Sequence, residues 1–130
     1  MRGRLWEDEE GSSPVEFVLV GALLTLLTLG VLQLGLAIYV RNVVHDAAVE
    51  GAYHGALADT GARDGAARTR QLISRAIGSE FASDVRAQET GPDDARTIVV
   101  TVRTTLPLVG LLGAPRAWEV VARAPVESLD

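Results

Sequence analysis

An uncharged apolar segment near the N-terminus constrains this chain more than any other feature. Residues 17–40 are 24 consecutive positions without a formal charge, and nine of them are leucine. As a helix, the segment is roughly 36 Å long, whereas the hydrocarbon core of a bilayer is about 30 Å thick. It is too long for the apolar region of a signal peptide, and no small-x-small cleavage site follows it. We therefore expect a single membrane-spanning helix, with the lipid bilayer as its partner.

The arginines on either side of this segment predict its orientation. Arg2 and Arg4 precede it, and only Arg41 follows it closely. Basic residues near a span are retained on the cytoplasmic side, while acidic residues contribute little to orientation. We expect a single-pass protein of the cell membrane with a cytoplasmic N-terminus and an extracytoplasmic C-terminal domain.

Composition limits what the rest of the chain can be. The protein has 130 residues, a net charge of −5 and no cysteine, which excludes disulfides and thiolate metal sites. Its basic residues are scattered along an acidic chain, so there is no electrostatic footprint for nucleic acid. No cofactor-binding motif is present. Residues 41–130 are enough for one small domain.

The first part of the chain is predicted to be a charged leader followed by a long helix. We expect residues 1–11 to be unstructured and the helix to begin at Pro14, with Ser12 or Ser13 as its cap. The helix continues beyond the span, because small and apolar residues recur there every three or four positions. This stripe consists of Val40, Val44, Ala47, Ala48, Gly51, Gly55 and Ala58. The two glycines in residues 59–65 are expected to break the helix.

The remaining sequence predicts a second helix and a small sheet. The second helix is expected over residues 66–83, and a short strand over 85–88. A turn signal at 91–94 precedes a β-branched, alternating strand over 97–105, and alternation returns over 117–124. The predicted fold class is α+β: a long N-terminal membrane-spanning helix extends into an extracytoplasmic domain with a second helix and a two- to three-stranded antiparallel sheet. The domains are a leader (1–11), a transmembrane helix (12–40) and this domain (41–130). The apolar face of the second helix is predicted to contain Leu72, Ile73, Ala76, Ile77 and Phe81.

Three features of the domain leave alternatives open. The helix-packing residues Ala47, Ala48, Gly51 and Gly55 could receive a neighbouring subunit. They could instead be covered by the chain's own sheet, which we favour because such a helix needs a buried face. The apolar loop Leu106–Pro115 either contacts a partner or the outer leaflet, or it folds over the core. Trp118 belongs to the core or to an interface.

The sequence contains no arrangement typical of a catalytic site. His45 and His54, the candidate catalytic bases, are nine residues apart, and this spacing places them on opposite faces of a helix. There is no nucleophile elbow, phosphate-binding glycine loop or zinc-binding helix motif. We therefore expect a protein that is not an enzyme and holds no metal.

A short motif at the start of the apolar segment resembles the processing site of type IV pilins. In that family a prepilin peptidase cuts after a glycine that is followed by four residues and then a glutamate. Here these positions are Gly11 and Glu16, with Phe17 next. The resemblance implies cleavage between Gly11 and Ser12, which leaves Ser12 as the new N-terminus. It also implies that Glu16 and Phe17 set subunit registration. A carboxylate and an α-amine on adjacent subunits can neutralise each other in apolar surroundings.

The segment after the span extends this resemblance to the TadE-like family, minor pseudopilins of the tight-adherence (Flp) machinery. The matching features are the pair Ala47-Ala48 and the step Gly51-Ala52. The resemblance implies a role in Flp-type pilus assembly or secretion and a place in an extracellular appendage after processing. The implied partners are a prepilin peptidase, other TadE-like or Flp subunits and a membrane assembly platform. The alternative is an uncleaved, single-pass, membrane-anchored extracytoplasmic binding module.

Overall fold

The computed structural model describes residues 7–105 and 117–128, with side chains from residue 11 onward. The chain divides into two units, residues 1–35 and residues 36–130. Within the described residues the second unit contains helices on one face of a three-stranded antiparallel sheet. The predicted α+β class, with a long N-terminal apolar helix and a second helix, is therefore confirmed.

The long helix α1 runs from Glu7 to Ala56. It begins earlier than predicted, so residues 7–11 are helical instead of unstructured, and Ser12 and Ser13 lie inside the helix instead of capping it. Pro14 lies inside the helix instead of in its first turn. Proline removes one backbone hydrogen bond from a helix, and the turns on both sides tolerate that loss here. Over Gly11–Ala56 the helix is long and apolar enough to cross a membrane, and its most apolar stretch is not buried inside the structure.

The second helix, α2, runs from Ala62 to Ala76 and is followed by a single 3-10 turn, Ser79–Ala82. The Asp64 carboxylate accepts a hydrogen bond of 2.9 Å from the Gly61 N–H and so caps the first turn. The helix includes Gly65, which we expected to lie in the break between the two helices. It also ends earlier than predicted, at Ala76 instead of residue 83. Of its predicted apolar face, Ile73 is fully buried whereas Ala76 is exposed.

The sheet has the strand order β1-β2-β3, with β1 at Asp84–Thr90, β2 at Thr97–Thr105 and β3 at Ala117–Pro125. The bounds of β2 match the prediction, and β1 is longer than predicted. A turn over residues 91–96 joins β1 to β2, as the glycine-proline signal indicated. Gly91 has φ +104°, a conformation that glycine adopts without strain. The predicted apolar loop between β2 and β3 lies outside the described residues.

One face of the sheet and the C-terminal half of α1 form the core together with α2. Val85, Val102 and Val120 are paired across the three strands and are all buried. Burial of one such side chain stabilises a fold by about 1.5–3 kcal/mol. The predicted alternation is confirmed for β3 and for β2 from Val100 onward, whereas Val99 in β2 is buried together with its neighbours. The remaining buried members of this core include Val40, Val44, Ala47, Ala48, Ala52, Ala56, Ala66, Ile73, Ile98, Val100, Ala122 and Ala124.

The end of β3 fastens the sheet to the helices. The Val126 N–H donates to the Arg96 carbonyl at 2.9 Å, and the Glu127 N–H donates to the Ala56 carbonyl, also at 2.9 Å. The second bond satisfies a carbonyl at the C-terminus of α1 that has no partner within its own helix. The C-terminal strand is thus attached both to the β1–β2 turn and to the end of α1.

Candidate functional sites

The predicted processing residues lie on the exposed surface of α1. Gly11 and Ser12 are in the second turn of the helix, and the space around Gly11 is open for 4 Å where a side chain would project. Phe17 is 80% exposed. The described structure therefore leaves this segment sterically accessible. A peptidase acting here must first unwind the helix.

Two residue types make that unwinding easier. Gly11 lowers the stability of a helix by about 1 kcal/mol relative to alanine. Pro14 has no N–H, so the Glu10 carbonyl loses its usual partner four residues ahead. The helix on the N-terminal side of Pro14 is consequently held by fewer backbone bonds than the rest of α1.

Glu16 is the carboxylate closest to the uncharged segment. It is exposed, and within the described residues none of the ion pairs involves it. An ionised side chain without a partner is costly in a bilayer and is held at the interface or paired. The described part of the chain therefore leaves the Glu16 carboxylate available to a cation from elsewhere.

The C-terminal part of the stripe on α1, at Gly51 and Gly55, contacts α2. A side-chain carbon added at Gly51 would overlap Thr69 Oγ1 and lie 2.7 Å from the Gly65 carbonyl oxygen. One added at Gly55 would lie 2.9 Å from the Gly61 carbonyl oxygen and 3.2 Å from the Gly65 Cα. Such distances leave no room for a methyl group. The two helix backbones approach each other at three glycines, Gly51, Gly55 and Gly65.

Thr69 fills the space beside these glycines. It is completely buried, and its hydroxyl lies 2.9 Å from the Gly65 carbonyl and 3.4 Å from the Ala47 carbonyl. Ala47 and Ala48 are buried in the same core. The covering element at Gly51 and Gly55 is thus α2, whereas we expected the sheet. Sequence analysis missed Gly65 and Thr69; the signal that could have found them is their spacing of four residues on one helix face.

An ion pair closes the exposed side of the contact between α1 and α2. Arg68 donates from Nε and Nη2 to one oxygen of Glu50, at 3.0 and 2.5 Å. Beside this pair is a cleft of about 410 Å³ lined by residues from both helices and from the end of β3. Tyr53 and Leu57, which line it, are 59% and 39% exposed.

The histidines do not form a site together. His45 is exposed and lines a second cleft, of about 200 Å³, whereas His54 is half-buried beside the larger one. The Thr60 hydroxyl donates a short hydrogen bond to the His54 carbonyl, a contact of the helix end that leaves the imidazole uninvolved. Within the described residues, no three histidine or carboxylate side chains are grouped as a metal ion requires.

A cation–aromatic contact joins α1 to the start of β3. The Arg41 guanidinium carbon lies 4.4 Å from the centre of the Trp118 ring, within the range of a favourable cation–π interaction. Glu119, next along β3, accepts a hydrogen bond of 2.8 Å from Arg103. This bond and the attraction of the Glu119 charge raise the pKa of Arg103. Sequence analysis named both Arg41 and Trp118 but had no signal that paired them.

The family comparison identifies one part of the chain. Residues 11–52 match the family model described as TadE-like protein. The match starts at Gly11 and ends one residue after Gly51, so it covers the apolar segment and the start of the domain. No curated protein and no solved structure matches the chain.

Proposed function

We propose that the protein is a minor pseudopilin of the TadE-like family, a pilus-related and non-enzymatic family whose model matches residues 11–52. It takes part in tight-adherence (Flp-type) pilus assembly or secretion. The observation that carries this proposal is the family match beginning at Gly11, immediately before an exposed apolar helix long enough to cross a membrane. The protein acts as a membrane-anchored structural subunit of an assembly. It is the substrate of a peptidase and catalyses no reaction itself.

Cleavage by a prepilin peptidase after Gly11 is the first step of the proposed function. Gly11 has no side chain to obstruct access, and its surroundings are open. Gly11 and Pro14 weaken the same short stretch of helix, which favours the extended conformation that a peptidase binds. Removal of residues 1–11 exposes the amine of Ser12.

Registration between subunits is the role proposed for Glu16 and Phe17. The Glu16 carboxylate has no partner in its own chain among the described residues, and the new Ser12 amine is a cation of matching charge. In apolar surroundings each charge offsets the cost of desolvating the other. Phe17 is 80% exposed and presents a large apolar ring next to that pair.

The proposed surface for packing between subunits is the apolar segment, because α2 of the same chain already covers Gly51 and Gly55. Between residues 17 and 39 large apolar side chains are exposed along α1, including Leu23, Leu27 and Leu32, each more than 60% exposed. Other TadE-like or Flp subunits and a membrane assembly platform are the proposed partners of this surface. Before assembly the same surface contacts lipid.

The orientation proposed for the protein has the N-terminus in the cytoplasm and the domain outside the cell membrane. Arg2 and Arg4 lie before the apolar segment, and only Arg41 follows it closely. After processing, the subunit leaves the bilayer for an extracellular appendage.

A test of registration separates cleavage from assembly. Glu16→Ala is expected to be cleaved normally but to enter pili or the assembly fraction less than the wild type, because the Ser12 amine then lacks its counter-charge. The matched control is Glu127→Ala, which removes an exposed carboxylate of the domain. Cleavage is read from the size of the membrane-bound chain, and incorporation from the sheared appendage fraction. Wild-type incorporation of Glu16→Ala would show that the registration role is wrong.

The competing function is an uncleaved, membrane-anchored binding module. The observation in its favour is the exposed cleft of about 410 Å³, where Tyr53 and Leu57 lie beside the Glu50–Arg68 ion pair. Retention of residues 1–11 in the native host distinguishes this alternative from the pseudopilin.

A further inference from the structure

The core of the domain begins where the uncharged segment ends. Val40, the last residue of that segment, is 2% exposed and belongs to the same core as the strands. Arg41 follows it directly and is exposed. There is accordingly no linker between the end of the apolar segment and the packed domain. A residue that contacts Arg41 therefore lies beside the last residue of that segment.

Trp118, in β3, contacts Arg41 at this position. Its ring is stacked 4.4 Å from the Arg41 guanidinium carbon, and the ring is half-buried. Tyr39, two residues before Arg41, is 53% exposed. Tryptophan and tyrosine concentrate where hydrocarbon meets the headgroups, because their rings are apolar at one end and polar at the other. Trp118 in β3 thus adds a second aromatic residue suited to the membrane interface beside Tyr39 on α1.

The charges around Arg41 leave it available to an anion. Glu119, the carboxylate that lines the same cleft of about 200 Å³, is already bonded to Arg103 at 2.8 Å. His45 also lines that cleft but is not part of the Arg41–Trp118 contact. A guanidinium stacked on an aromatic ring keeps its N–H groups in a planar fork suited to phosphate.

We propose that Arg41 and Trp118 form a membrane-contact patch that rests on the headgroup layer, with Arg41 bound to lipid phosphate. The patch fixes the domain against the outer surface of the bilayer before assembly. This inference rests on the membrane anchoring in the proposed function and is independent of cleavage after Gly11.

The patch is tested by the depth of Trp118 in a bilayer. The chain has two tryptophans, so Trp6→Phe leaves Trp118 as the only indole. The uncleaved full chain is reconstituted in phosphatidylcholine vesicles with phosphatidylglycerol, and nitroxide-labelled lipids quench its fluorescence. A headgroup nitroxide is expected to quench Trp118 more strongly than a nitroxide deep in the acyl chain. Quenching by neither lipid, with full access to aqueous acrylamide, would overturn the proposal.

Two reference tryptophans, placed in the Trp6→Phe, Trp118→Phe background, separate this inference from its premise. Leu27→Trp lies in the apolar segment and is expected to be quenched by the deep nitroxide. Tyr53→Trp lies 12 residues beyond Arg41, about 18 Å further along the helix, and is expected to respond to acrylamide only. If Leu27→Trp is not quenched, membrane anchoring fails. If it is quenched and Trp118 is not, the patch alone is wrong.

The lipid contact of Arg41 has its own readout. In the Trp6→Phe background, Arg41→Gln is expected to lose headgroup quenching of Trp118 in vesicles rich in phosphatidylglycerol. Arg41→Lys is expected to retain part of it, because the positive charge remains. His45→Gln is the matched control from the same cleft and is expected to change little. Equal quenching in the Arg41→Gln variant and the parent chain would show that Arg41 does not bind lipid.

Discussion

At the scale of single residues, the domain depends on three glycines that let two helices touch. Gly51 and Gly55 on α1 meet Gly65 on α2, with the Thr69 side chain beside them. A glycine inside a helix costs about 1 kcal/mol relative to alanine, so each must be offset by packing. The backbone approach supplies that packing, because the neighbouring Ala48, Ala52 and Thr69 are completely buried.

Gly51→Ala tests this contact directly. The added methyl group would overlap Thr69 Oγ1 and crowd the Gly65 carbonyl oxygen, so the helices must separate. Overpacking costs about 1–3 kcal/mol, which exceeds or cancels the propensity gained from alanine. We expect a lower urea midpoint for the full chain in detergent, followed by Trp118 fluorescence in the Trp6→Phe background. Gly61→Ala, where no atom lies within 4 Å, is expected to leave the midpoint nearly unchanged.

The contact at these glycines could not be predicted from the sequence, whereas local features such as β2 could. The strand β2 was predictable to its ends, because alternation of β-branched residues is a local pattern. Gly65 was assigned to a helix break because a glycine in a polar stretch looks like one, and only the neighbouring helix explains it. The pairing of Arg41 with Trp118 was equally invisible, since 77 positions separate them in the sequence. Contacts between distant segments carry no periodicity.

At the scale of elements, α1 combines two helix types in one. Large side chains from Phe17 to Tyr39 are exposed, whereas from Val40 onward one face is buried under α2 and the sheet. The first part is suited to lipid or to neighbouring subunits, and the second part belongs to the domain core. Both parts are assigned to the one helix Glu7–Ala56.

The orientation of this element is tested by labelling an introduced cysteine. The chain has no cysteine, so Asp59→Cys, just after α1, gives one exposed thiol. We expect a membrane-impermeant maleimide to label it in intact cells, because the domain is proposed to be extracytoplasmic. Thr28→Cys, inside the apolar segment, is the control and is expected to remain unlabelled. Labelling of Asp59→Cys only after cell lysis would place the domain in the cytoplasm.

At the scale of the whole molecule, the described residues comprise an apolar helix long enough to cross a membrane and a small α+β domain. The domain uses its helices and one sheet face to build a core, and residues 11–52 match the family model of TadE-like proteins. In the account proposed here, one proteolytic cut converts a membrane protein into a subunit. We propose that the cut produces the Ser12 amine and that this amine pairs with the Glu16 carboxylate of a neighbouring copy.

The intact mass of the protein from its native host tests that central claim most directly. The account predicts a chain that begins at Ser12, and predicts that Gly11→Trp keeps residues 1–11. Gly21→Trp, the same substitution at a helix glycine with open surroundings, is the control and is expected to be cleaved. A wild-type mass that retains residues 1–11, including in assembled material, would contradict the account.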